Sequence, residues 1–318
     1  MHAVIITPSG VFRLFCGHEP LIIQFTSGGT NFMLVFPNEN LQDVFDSVQP
    51  GSVIELAEGD YRIKTMIRTP NLTIRGAGAS KTRILWDDYA NKLDEKGVEY
   101  NTFRTWTMAV CADHITMTDL SIINDSLTPE TKGQEVALTV YGDNFRMERC
   151  TLSSTQDTLF LGPLPKDLIE RYDGFLSDPL RKDIMCRQTF LDCLIEGTVD
   201  FIFGCGEAVF ENCELRSLKD ARNCGYVAAP AHALSQEKGF LFKNCRFTME
   251  DGVEPGSIFL ARPWRDFGLC VFDGCTYEAH ISPLGFDKWN DTERDKTARF
   301  YERPAIDGRV KWARTLSE

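Results

Sequence analysis

Phe190-Leu-Asp-Cys-Leu-Ile-Glu-Gly-Thr-Val-Asp-Phe-Ile-Phe-Gly-Cys-Gly-Glu-Ala-Val-Phe-Glu-Asn-Cys213 carries one frame twice, an apolar residue followed three positions later by cysteine. The frame recurs outward as Met147-Glu-Arg-Cys150, Phe242-Lys-Asn-Cys245 and Phe272-Asp-Gly-Cys275. Residues three apart on one strand face opposite ways. Two apolar residues at that spacing therefore ask for a bend that turns both inward. The bend position holds Asn212, Asn244 or Gly274, residue types that tolerate left-handed backbone. Each frame reads as short strand, tight corner, short strand. The five cysteines stand 43, 20, 32 and 30 residues apart. A coil of about twenty residues with loops of variable length fits an all-β solenoid, a single-stranded parallel β-helix. A β-sandwich would show more even hairpin signals.

Amphipathic helical windows are few. The best joins Leu41, Val44, Phe45 and Val48, with Asn38 as the expected N-cap. A short N-terminal helix there would cap the open end of the solenoid, which otherwise exposes strand edges. Residues 1–35 form an extension of unclear placement, and residues 36–318 read as one β-helix domain. The 43-residue step holds extra material, Pro163 to Arg181, rich in Pro, Gly and charge and expected to be a loop.

The chain has 318 residues, 43% hydrophobic and 25% charged, enough to bury a large core. A net charge of −12 argues against nucleic acid or an anionic membrane as partner. No apolar run reaches the eighteen residues of a membrane span. Met1 to Gly10 lacks the Lys or Arg of a secretory n-region. The eleven cysteines leave two readings open, reduced interior thiols or a disulfide framework, and their interior-looking positions favour the first. No C-x-x-C occurs, so no structural zinc site is expected. These features lean towards a cytoplasmic monomer; a secreted form with its signal trimmed is the alternative.

Two coils match as C-x-x-x-x-T-x-D-x-[LI]-F, from Cys150 through Asp157 and from Cys193 through Asp200. On neighbouring coils, equivalent positions lie about 4.8 Å apart. Two carboxylates at that distance repel, so one keeps its proton to higher pH and the pair divides into an acid and a base or nucleophile. The competing reading is two exposed loop aspartates. A pair about 5 Å apart also suits a retaining glycosidase. Neutral amides nearby tip the balance towards acyl transfer. Gln156 precedes Asp157, and Gln134 belongs to the preceding coil. Amide donors can hold an oxyanion, although either glutamine could be a solvated surface residue. Arg262, at a strand end, could lower a nucleophile's pKa or form an ordinary surface ion pair. Trp264 and Trp289 could stack on sugar rings or sit in the core. The five histidines lie in none of these segments, which leaves a Ser-His-Asp triad unsupported.

Together these segments resemble the pectin methylesterase (pectinesterase) family. Gln134-Glu-Val-Ala-Leu138 resembles Q-A-V-A-L, Gln156-Asp-Thr-Leu159 is similar to Q-D-T-L, and Asp200-Phe-Ile-Phe-Gly204 to D-F-I-F-G. Leu260-Ala-Arg-Pro-Trp264 resembles L-G-R-P-W, Gly59-Asp-Tyr61 opens G-x-Y-x-E, and Arg309-Val-Lys-Trp312 has the family's appearance. The resemblance covers roughly Phe36 to Ala313. It implies a right-handed parallel β-helix and removal of methyl esters from methylated homogalacturonan or oligogalacturonides, with no cofactor or metal. It implies Asp200 as nucleophile, Asp157 as acid then base, Gln134 and Gln156 as oxyanion hole, and Arg262 holding Asp200 ionised. Phe201, Trp264 and Trp289 would line the sugar cleft. Three positions depart from the pattern: Ile63 replaces Glu, Glu135 replaces Ala and Ala261 replaces Gly. The segment from Gly162 to Arg181 is longer than in plant-type enzymes and is expected to rim the cleft and favour short oligomers. With the missing signal, this suggests a bacterial enzyme trimming imported oligogalacturonides. The alternatives are a glycosidase or lyase on the same fold, or a non-catalytic carbohydrate-binding β-helix.

Overall fold

Asn212, Asn244 and Gly274 adopt φ of 55°, 52° and 65°, so the expected corners are left-handed. Arg149 and Asp192 hold the same conformation in their own coils, at 51° and 52°. At Arg149 the guanidinium forks onto Asp119, at 2.8 and 2.7 Å, which ties one corner to that of the coil before it. Repeating the corner stacks the inward side chains. Phe190, Phe210, Phe242 and Phe272 are fully buried, with adjacent ring centroids 4.9, 4.8 and 4.9 Å apart and planes within 13°. Their spacing equals the inter-strand distance. The thiols of Cys213, Cys245 and Cys275 donate to the carbonyls of Phe190, Phe210 and Phe242 on the coil before, at 3.3–3.4 Å. The ten cysteines of the described residues are free, eight of them buried, as the interior-thiol reading expects.

The computed structural model describes residues 2–7, 10–15, 23–27, 30–126 and 133–316. The eleventh cysteine, Cys16, lies outside them. Among the described residues the strands form sheets of fourteen, seven and eight members. Each full coil gives one strand to each sheet, for instance Arg187–Leu191, Leu194–Gly197 and Val199–Gly204. Pairing between coils is parallel, and the fold is the right-handed parallel β-helix.

The capping helix is Leu41–Ser47, burying Leu41, Val44 and Phe45. Its N-cap is Asn40, not Asn38. The Asn40 Oδ1 accepts from the backbone N–H of Gln42 and Asp43, while Asn38 lies in the preceding turn, too far back to reach them. Gln42 then closes the edge of the seven-stranded sheet. Its amide donates to Met66 O at 3.0 Å and accepts from Met66 N at 2.7 Å, as a further strand would. Within residues 1–35, His2–Thr7, Gly10–Phe15, Ile23–Ser27 and Thr30–Val35 continue the longest sheet as an antiparallel meander. Thr30–Val35 starts the parallel register by pairing with Val53–Leu56.

The Pro163–Arg181 segment is not simply a loop. It contains the helix Lys166–Arg171 and a 3-10 turn, Asp178–Arg181. Leu164, Leu168, Leu176 and Leu180 are buried in a second apolar cluster with Phe103, Phe160 and Phe203. The two i,i+4 leucine pairs anchor it, a signal the Pro and Gly content masks. Two departures from the family pattern are absorbed by packing. Ile63 packs against the main core, and Ala261 is fully buried with its Cβ accommodated.

Candidate active site

The strand Leu159–Leu161 pairs with Val199–Gly204 as Leu159↔Ile202 and Phe160↔Phe203. This register puts Asp157 and Asp200 at equivalent places on adjacent coils. Both residues are left-handed, with φ of 65° and 51°, a conformation that costs a non-glycine about 1–2 kcal/mol. The backbone N–H of Asp157 donates to Val199 O at 3.0 Å, locking the two coils together beside the carboxylates. Both side chains are buried, and both line one cleft of about 500 Å³.

Arg262 separates the pair chemically. Its guanidinium forks onto Asp200, Nε to Oδ1 at 2.8 Å and Nη2 to Oδ2 at 2.6 Å. It lies 3.7 Å from the Tyr226 ring centroid and 4.1 Å from that of Trp289, so its plane cannot rotate freely. Burial raises the Asp157 carboxyl well above the usual carboxylate range, and the Asp200 charge raises it further. Burial also raises Asp200, but hydrogen bonding and charge from Arg262 pull it back. Asp200 therefore ionises first, and Asp157 holds the proton.

Gln134 and Gln156 line the same cleft. The Gln156 Oε1 accepts from Arg222 Nη1 at 3.1 Å, so its NH₂ is the donating group, and it already hydrogen-bonds the Asp157 carboxyl. Arg222 is itself held by the Asp220 carboxylate, with Nε to Oδ1 at 2.7 Å. Sequence reading missed this residue; the Asp220-x-Arg222 spacing is its one local signal. Glu135 is fully buried where the family pattern has Ala. Its carboxylate accepts from Ser126 Oγ at 2.6 Å and from Thr155 Oγ1, and its backbone N–H donates to Gln156 O at 3.0 Å. The departure thus staples the Gln134 coil to the Gln156 coil.

Trp264 and Trp289 line the cleft, although Trp289 gives one face to Arg262. Phe201 does not line it. Its side chain is fully buried in the main core, and Phe203 stands in the cleft wall instead. The left-handed Asp200 and the register shift between Val199 and Ile202 break strand alternation, so Phe201 and Ile202 both face inward. Phe103, Leu168, Arg171 and Tyr172 complete the wall from outside the repeat. The buried His232 is pushed down to about 4 by burial and bonds Leu269 N and Gly206 O, away from the aspartates.

A carboxyl pushed towards its protonated form, a second carboxylate paired with an arginine and two amide side chains in one cleft suit acyl transfer. A glycosidase passes through a cationic transition state and has no use for an oxyanion hole.

Comparison with known proteins places the chain in a family. The pectinesterase family model matches residues 25–163 and 178–315. Pectinesterase 31 of Arabidopsis thaliana is 28% identical over 296 residues, spanning 88% of this chain and 84% of its own length. The solved structure of pectin methylesterase PemA from Erwinia chrysanthemi superposes with a TM-score of 0.75 at 26% identity, over 89% of this chain and 92% of that one. A pectin methylesterase in complex with hexasaccharide VII superposes with a TM-score of 0.73 at 26% identity, over 88% of this chain and 89% of its own.

Proposed function

The chain belongs to the pectinesterase family, and from that premise we propose how its residues hydrolyse the methyl esters of pectin. The enzyme is a carboxylic ester hydrolase that yields free carboxylate and methanol. An Asp200 oxygen attacks the C6 carbonyl carbon of a methylated galacturonate. The tetrahedral oxyanion is received by the amide N–H groups of Gln134 and Gln156. Collapse breaks the bond to methoxide, which leaves as methanol with the Asp157 proton. The product is an anhydride between Asp200 and the sugar carboxyl. Asp157, now ionised, takes a proton from water, which attacks the sugar carbonyl and releases Asp200. The carrying observation is that the Arg262 fork is on Asp200 alone, leaving Asp157 to keep its proton.

Methanol release from highly methylated pectin and from methylated trigalacturonate tests this, with native chain and Asp200→Asn. Release that collapses in the variant is expected. Reducing ends without methanol would replace this reading with a glycosidase.

The proposal extends to substrate length and compartment. The 163–181 segment walls the cleft through Leu168, Arg171 and Tyr172, which favours short oligogalacturonides over long chains. Ten free cysteines among the described residues suit a reducing compartment, the cytoplasm. Recovering the activity outside the cytosolic fraction would overturn that placement.

A further inference from the structure

The family match stops at residue 163 and resumes at 178, so the helix Lys166–Arg171 and Tyr172 stand outside the matched residues while lining the cleft. That segment is fixed in place. Arg265, beside Trp264, forks onto Asp167 at 3.2 and 2.7 Å. The Tyr172 hydroxyl donates to Asn101 Oδ1 at 2.8 Å, and its ring meets Phe103 edge-on at 5.5 Å. Arg171, the last residue of the helix, is thereby presented to the cleft from a docked element rather than a free loop.

The other guanidiniums around the cleft are committed. Arg262 grips Asp200, Arg265 grips Asp167, and Arg222 grips Asp220 and Gln156. Arg171 forms no ion pair among the described residues. Its side chain hydrogen-bonds the neighbouring Tyr172, which leaves most of its five N–H donors open. A planar guanidinium matches a carboxylate bidentately and gains little from a neutral methyl ester. The substrate polymer offers both groups, since each de-esterified unit carries a free carboxylate. The net charge of −12 would otherwise disfavour such units, and a local cation offsets that field.

We propose that Arg171 forms a subsite for the free carboxylate of a galacturonate unit flanking the ester under attack, so that the enzyme prefers partly de-esterified oligomers. This rests on the esterase reading above.

The test compares native chain, Arg171→Gln and Arg171→Lys on two trimers, one fully methylated and one with a single methyl ester and two free carboxylates. The native chain is expected to favour the monomethyl trimer. Arg171→Gln should raise KM on it about tenfold, the order expected for one charge-assisted contact, with kcat little changed. The fully methylated trimer should be nearly unaffected, and Arg171→Lys should recover part of the loss. Equal loss on both trimers, or no loss on either, would overturn the subsite. Calorimetry with unesterified trigalacturonate separates it from the esterase reading. About tenfold weaker binding by Arg171→Gln supports the subsite even if no methanol is released, and equal binding rejects it.

Discussion

The two aspartates differ by what faces them. Asp157 is raised by burial and by the Asp200 charge, so its folded value lies above the unfolded value of about 3.9. The native chain then binds that proton more tightly than the unfolded chain does. The stability this contributes is complete below about pH 4 and is lost as pH rises through the folded value. Asp157→Asn removes the titration. Its melting temperature should exceed that of the native chain at pH 8, and the gap should close towards pH 4. A native chain equally stable at pH 8 would reject the assignment. The same variant should lose about 10²–10⁴-fold in kcat as the leaving-group acid disappears. Gln156→Ala should lose about 10²–10³-fold in kcat with an oxyanion donor removed. Arg222→Leu, which leaves that amide in place but unoriented, should lose about tenfold in kcat with KM steady. A change confined to KM would instead make Arg222 a substrate contact. Asp157 and Asp200 were legible because each stands seven positions after the cysteine of its coil, while Gln134, Gln156 and Arg262 took their roles from the family resemblance. Arg222 was not legible, because it reaches Gln156 across 66 positions from a segment with no period.

A corner of the solenoid is the smallest element that can fail alone. Asn244 has φ of 52°, which glycine adopts freely and a β-branched residue resists. Asn244→Val should cost about 1–2 kcal/mol in urea unfolding, while Asn244→Gly should change little. Equal losses would mean that the Asn side chain, not the backbone angle, holds the corner. The corner was readable from Phe-x-x-Cys because a bend and two inward residues leave a sequence period. The capping helix was readable too, but its start was displaced from Asn38 to Asn40. Only the Asn40 side chain meets the first free N–H groups of the helix. The helix within 163–181 was hidden, since Pro, Gly and charge dominate its composition while four buried leucines hold it down.

Across the whole molecule the coils form the floor of the cleft and the 163–181 segment a wall. Replacing residues 164–177 with a short glycine linker should raise the ratio of methanol released from polymeric pectin to that from the trimer. Because this removal uncovers Phe103 and Phe160, Asp167→Ala with Tyr172→Phe offers a gentler route, loosening the segment while its leucines stay buried. An unchanged ratio in both would show that the segment does not govern chain length.

The repeat in the amino-acid sequence by itself determined the solenoid, its corners, its stacked interior and the pairing of Asp157 with Asp200. A one-dimensional period maps directly onto coils that each contact only their neighbours. Tertiary structure alone decided that Phe203 rather than Phe201 faces the cleft, because a left-handed Asp200 and a register shift turn the side chains against strand alternation. It alone set Arg222 behind Gln156, Gln42 on the open sheet edge and Arg171 in the wall of the cleft that holds the aspartates. These contacts join loops and helices to coils at no regular spacing, so packing in three dimensions, not sequence period, brings them together.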